Sequence, residues 1–331
     1  MLIHHLRNLR EALPFVPAHT DFLMGYPPTV GELAAYLAGR RAPHQKPHKL
    51  RINVDSLALL DMLLGLTKNT HQRLPVDVVL EIDNGGPRGG IQPGADLAEA
   101  LNRLPAARSR ARVGALLCYD VIAAGEGDPL WRKNAATYAQ SQMRAAVAQI
   151  KSTAGDFIDA DRLILNGPGL ANYPNWAGGP ANEFSAGSAI LFANYLDSGF
   201  PTDGLTKALY LCAPVLRLPK NVAFGAPHPP GGYEFAFIKA GGWPTGNNPT
   251  LSKLVYPGGL QEGPVYGRGA NSSGMIAAPV GALSLGDYVL ETCQQVMEGQ
   301  DYFGALYACR GGTVRRVWPV VSRWSGRRME M

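Results

Sequence analysis

Hydrophobic residues along the chain gather in short runs separated by glycine, proline and asparagine. The most informative run covers residues 76–83, VDVVLEID, nearly all apolar until it ends in an acidic pair, Glu81 and Asp83. Strands buried on both faces of a parallel sheet read this way, because helices cover them. A glycine-rich turn holding one arginine, Arg88, follows directly. In α/β barrels the loops after the strand C-termini carry the chemistry. Arg88 therefore stands where a cofactor or an anionic substrate would be met.

Similar runs at 21–26, 50–55, 113–119, 162–166 and 184–191 are predicted strands. Between them, residues 30–38, 56–66, 95–101 and 133–152 carry helix-like patterns. Alternation of this kind predicts a parallel α/β architecture. From about residue 210 the texture changes. Gly/Pro clusters (HPPGG, KAGGWPTGNNP, YPGGL) separate short apolar runs, and helical periodicity is nearly absent. Two domains are expected: an α/β barrel over 1–209 and an antiparallel β domain over 210–331. The pair Gly311–Gly312, between ALYACR and TVRRVWPVV, predicts a hairpin turn.

Composition narrows the function classes. With 331 residues there is room for two domains, and with 46% apolar residues wholesale disorder is excluded. The 39 glycines and 26 prolines argue for many turns and against a helical bundle. The net charge of +5 is modest and gathers near the end, at Arg315, Arg316, Arg323, Arg327 and Arg328. No aromatic–basic motif accompanies it, so a solvated tail is expected and nucleic acid is not. Cys118, Cys212, Cys293 and Cys309 are far apart with no CxxC, which indicates neither a zinc ribbon nor a disulfide framework. Cys118 and Cys212 lie in apolar runs and are expected to be inert core residues. The first fifteen residues are too charged for a secretory leader. No apolar run approaches the roughly 18 residues of a membrane span. A cytoplasmic location is expected.

The ordered motifs EIDNGGPRGG, GALLCYD, LNGPGLANY, NEFSAGSAIL, APVLR, YGRGANSSGM and RGGTVRRVWPV resemble the fold-type III enzymes that use pyridoxal phosphate. Within these, the chain is similar to the D-threonine aldolase and D-serine dehydratase-like group (amino-acid deaminase/aldolase), from about residue 21 to 321. The resemblance implies an alanine-racemase-like (βα)8 barrel with a C-terminal antiparallel β domain. It also implies a lyase acting on D-amino or β-hydroxy amino acids, working as a homodimer.

Residue by residue, it implies cofactor contacts at six positions. Arg88 would lie near the cofactor's phenolic oxygen or the substrate carboxylate, where a planar guanidinium fits. The alternative is a surface arginine in a loop. Tyr119, followed by Asp120, would position the ring, unless it is only a buried aromatic. Gly167 and Gly169 would form a turn approaching the phosphate with bare backbone, or a plain loop. Gly187 and Ser188 would add further phosphate donors.

Several features depart from the family pattern. Such enzymes need a Schiff-base lysine on the first barrel strand. DFLMGYPP resembles the family's third strand, LRINVDS its fourth, and MLIHHLRNLREAL a worn second strand with its helix. On this count the chain begins after the lysine strand, and the alternative function is a non-catalytic truncated remnant. One substitute exists in RAPHQKPHK, where Lys46 would hold the cofactor. Between Lys46 and Glu81 there is room for one βα unit, where three of roughly 30 residues or more are needed. Pro43 and Pro47 also suit a central strand badly. The serine expected after Gly169 is Leu170. The family's zinc-binding H-x-C is absent, Tyr307 standing two residues before Cys309, so no metal is expected. No residue is assigned as catalytic.

Overall fold

The structure is a computed structural model of the chain. It describes residues 1–6, 9, 12–17, 19–39, 49–68, 75–107, 109–119, 128–169, 172–185, 187, 191, 204–219, 229–239, 253–262, 274–292 and 305–319. The described residues form two compact units, 1–187 and 191–319.

The first unit is built on seven parallel strands. They are β1 (Leu2–Ile3), β2 (Phe22–Met24), β3 (Leu50–Val54), β4 (Val76–Glu81), β5 (Ala111–Leu117), β6 (Ile164–Gly169) and β7 (Glu183–Ser185), and they pair in strictly sequential order. This is a nearly closed α/β barrel. Helices α1 (Val30–Gly39), α2 (Leu57–Lys68), α3 (Ala95–Arg103) and α4 (Pro129–Thr153) connect strands. Their starts are written locally. Thr29 and Glu32 form a reciprocal capping box at α1. Ser56 Oγ accepts from Leu59 N at 3.3 Å ahead of α2. Asp128 caps α4, with Pro129 in its first turn.

The strands alternate between two environments. Outward residues such as Phe22, Ile52, Val54, Val78, Leu80 and Val113 pack with Leu60, Leu63, Leu97, Met143 and Ile150 of the helices in the main core. Inward residues Leu23, Val79, Ala115 and Leu117 form a separate, smaller cluster with Tyr119 and Ile164. Leu6, Leu9 and Ala12 after β1 are buried in the main core, as the reading of the first residues as strand plus helix requires. Between β4 and β5 one extra residue, Gly114, bulges the ladder. The Arg51 side chain occupies the space this leaves, its Nε 3.4 Å from where a Cβ at 114 would sit.

The second unit contains a six-stranded antiparallel sheet ordered β10-β13-β8-β9-β12-β11. Its strands are β8 (Tyr210–Arg217), β9 (Tyr233–Ile238), β10 (Leu254–Tyr256), β11 (Gln261–Glu262), β12 (Gly274–Pro279) and β13 (Tyr288–Thr292). A hairpin of β14 (Ala305–Arg310) and β15 (Thr313–Pro319) completes it. Gly311 and Gly312 both have positive φ, 57° and 72°, which a two-residue hairpin turn of this hand demands.

Three expectations are corrected. Of the strand expected over 184–191, the described residues place Glu183–Ser185 in β7, while Gly187 and Leu191 are helical. The strand expected to end at Asn166 runs on to Gly169. Cys212 is exposed, not core. The period of two in β8 sends Ala213 and Val215 into the core and Cys212 to the other face. Cys118 is buried as expected.

Leu80 is fully buried between the sheet and the helices. Leu80→Ala is expected to cost about 2–5 kcal/mol of stability, measured by denaturant unfolding. A loss below about 1 kcal/mol would contradict this packing.

Candidate functional site

Polar residues on the inward face gather toward the C-terminal strand ends. On β3 the pattern LRINV alternates, so Ile52 and Val54 face the helices while Arg51 and Asn53 face inward. In register, Glu81 of β4 pairs with Leu117, Leu117 with Asn166 of β6, and Asn166 with Glu183 of β7. These four form one row near the mouth. Asn166 donates Nδ2 to Glu183 Oε1 at 2.7 Å and accepts from Ser185 Oγ at 2.9 Å.

Arg88 sits over this row. The turn that carries it folds back on β4, with Ile91 N donating to Glu81 O at 2.8 Å and Asp83 N donating to Ile91 O at 3.1 Å. Gly90 makes the fold-back possible. Its φ is 132° and a Cβ there would lie 2.5 Å from Asp83 N. Returning over the strand end, Arg88 donates Nε to Glu81 Oε1 at 2.8 Å and Nη2 to the Gly25 carbonyl at 2.6 Å. The Arg88 side chain is 12% exposed and that of Glu81 3%. The guanidinium lies 4.5 Å from the Tyr26 ring centroid and 5.2 Å from that of Tyr119, a cation held between two aromatic faces. Beyond Tyr26, the His4 ring is 5.2 Å away at 44°.

Burial, the largest influence on Arg88, works to lower its pKa, but the hydrogen bond and charge of Glu81, with Tyr26, outweigh it and raise the value. A raised cation pKa contributes stability that is complete below the ordinary value and lost only above it. Arg88 is therefore a fixed cation at every ordinary working pH.

The predicted residues fall into three groups. Arg88, Tyr119 and Gly169 are brought together, since a Cβ at Gly169 would lie 2.6 Å from Tyr119 Oη. Gly167 is in β6 beside Trp176 and Ala181, which a Cβ would meet at 3.0 and 2.7 Å. Packing thus accounts for glycine at 167. Gly187 is exposed, with open space around its Cα. Ser188, Lys46, Asp120 and Leu170 lie outside the described residues.

Sequence reasoning named Glu81 without a role and passed over Asn53, Asn166, Ser185 and Tyr26. The signal for Asn53 was present: polar residues alternating with apolar ones in a strand covered by helices must face a barrel interior.

No family model matches the sequence, and no curated protein matches it. Solved structures do match. D-threonine aldolase from Filomicrobium marinum superposes with a TM-score of 0.73 at 20% identity, covering 97% of this chain and 81% of that one. D-threo-3-hydroxyaspartate dehydratase from Delftia sp. HT23 gives 0.67 at 17% identity, covering 98% and 84%. Alanine racemase from Streptomyces coelicolor gives 0.60 at 18% identity, covering 87% and 73%. The chain has the alanine-racemase-like fold. In that fold the Arg88 cluster occupies the C-terminal mouth of the barrel, the face where barrel enzymes place their chemistry. Gly169 lets Tyr119 pack directly against the backbone of β6, and the fixed cation of Arg88 suits an anionic oxygen.

Glu81→Ala strands a buried guanidinium and is expected to destabilise by about 3 kcal/mol. Gly169→Ala is expected to cost about 1–3 kcal/mol through overpacking against Tyr119. The second loss should shrink in a Tyr119→Phe background, which removes the nearest atom. Thermal or denaturant unfolding of the single and double variants checks both, and equal Gly169→Ala losses in the two backgrounds would contradict the contact.

Proposed function

We propose that this chain holds pyridoxal phosphate at the mouth of its barrel and acts as a lyase on D-amino or β-hydroxy amino acids, by deamination or retro-aldol cleavage. The observation that supports it is the Arg88 cluster, in a chain sharing the fold of D-threonine aldolase and D-threo-3-hydroxyaspartate dehydratase. When bound, pyridoxal phosphate delocalises the electron pair left at Cα, and the protein chooses which bond breaks. Arg88 would hold the phenolic oxygen or the substrate carboxylate. Glu81 keeps that cation from swinging toward water. Tyr119 would orient the ring, with Gly169 leaving it room. Gly167, Gly187 and Ser188 are the proposed phosphate-side residues. The working form is proposed to be a cytoplasmic homodimer. No helix among the described residues is long and apolar enough to cross a membrane.

A second reading is favoured by one observation. Among the described residues no lysine stands at the C-terminal end of a barrel strand. Lys49 precedes β3, Lys68 closes α2, Lys133 and Lys151 lie on α4, and Lys207, Lys239 and Lys253 belong to the second unit. The chain would then hold the cofactor without covalent attachment and without catalysis.

Both readings are tested by adding pyridoxal phosphate to the purified protein, recording the visible spectrum, reducing with borohydride and mapping the labelled peptide. The lyase reading expects a visible band, a labelled lysine and release of acetaldehyde from D-threonine or pyruvate from D-serine. Saturable binding with no labelled lysine and no product supports the second reading. No binding at all overturns both.

A further inference from the structure

We infer that Asn53 is a positioning residue for Arg88 and acts through Glu81; the inference rests on the reading that Arg88 meets the ligand. Asn53 pairs with Val79, Val79 with Ala115, and Ala115 with Ile164. The three partners belong to the apolar cluster inside the barrel, together with Leu23 and Leu117. Asn53 is the polar member of that row and is fully buried, at 0% exposure. Its Nδ2 donates to Glu81 Oε2 at 2.7 Å, while its Oδ1 has no hydrogen-bond partner among the described residues. The amide must point this way, because the reverse would set two acceptor oxygens against each other.

An unsatisfied buried acceptor is unfavourable. A leucine or valine would fill the row without it, so packing does not explain an asparagine here. Its placement on Glu81 does. Arg88 Nε takes Oε1 at 2.8 Å and Asn53 takes Oε2 at 2.7 Å. With one oxygen held from β3 and the other from the turn after β4, the carboxylate plane is fixed at both ends. Arg88, itself confined between Tyr26 and Tyr119, then has one place to stand. Remove the amide and the carboxylate keeps its charge but loses its orientation.

A double-mutant cycle reads this in the cofactor-free protein. The measured quantity is the rate at which phenylglyoxal modifies Arg88, followed by peptide mass spectrometry, with cofactor affinity as a second readout. Asn53→Leu in the wild-type background should raise the modification rate roughly tenfold, the worth of one hydrogen bond to a charged group. In a Glu81→Ala background the same substitution should change it by no more than about twofold, because the link is already cut. Asn53→Ser, smaller and polar, is read in the same cycle if Asn53→Leu does not fold. Equal effects in both backgrounds, or no effect in either, overturn the inference. If wild-type protein fails to bind pyridoxal phosphate, the proposed function fails while the rate cycle still decides the role of Asn53.

Discussion

The ion pair between Glu81 and Arg88 is the contact around which the barrel mouth is organised. Its two members are seven residues apart, at the end of β4 and in the turn that follows. Closing the pair brings the turn back over its own strand, and the backbone bonds between Ile91 and the strand end lock it there. A nearly buried pair of this kind gives little net stability compared with an apolar replacement. What it provides is a cation at a defined place, since removing either partner leaves a charge in a poorly solvated site. The surrounding groups serve the same end: the Gly25 carbonyl, the two tyrosine rings and the Asn53 amide each remove one freedom from the pair.

The two faces of the sheet divide the labour. Toward the helices the strands present only apolar side chains, and that layer supplies the burial that holds the barrel. Inside, the apolar residues Val79, Ala115 and Ile164 form a floor one level below the row of Glu81, Leu117, Asn166 and Glu183. Charge can be kept near the mouth because the floor excludes water beneath it and the strand register brings donors and acceptors into contact. The glycines of β6 belong to this design. At 167 and 169 the backbone approaches Trp176 and Tyr119 too closely for any side chain.

Much of this was legible before the structure. The apolar run at 76–80, the acidic strand end and the arginine turn read directly as a buried parallel strand and its loop, because burial on both faces leaves an unmistakable hydropathy pattern. The Gly311–Gly312 hairpin was readable because its turn geometry admits almost no other residues. The course of β6 was not. Gly167, Pro168 and Gly169 look like a loop by local propensity, and pairing with β7 together with close packing against Trp176 and Tyr119 carries them as strand. Cys212 misled for a related reason: in an apolar run a residue's face depends on register, which composition does not carry. The Asn53–Glu81 contact joins two strands, and no local pattern announces it.

We propose that the fixed Arg88 cation defines a ligand site at the mouth of the first unit. A crystal structure with pyridoxal phosphate tests it most directly. The expected result is the ring against Tyr119, an oxygen of the ligand on Arg88, and the Glu81–Arg88 pair intact. A ring bound elsewhere, or Arg88 turned away from Glu81 in the complex, would contradict it.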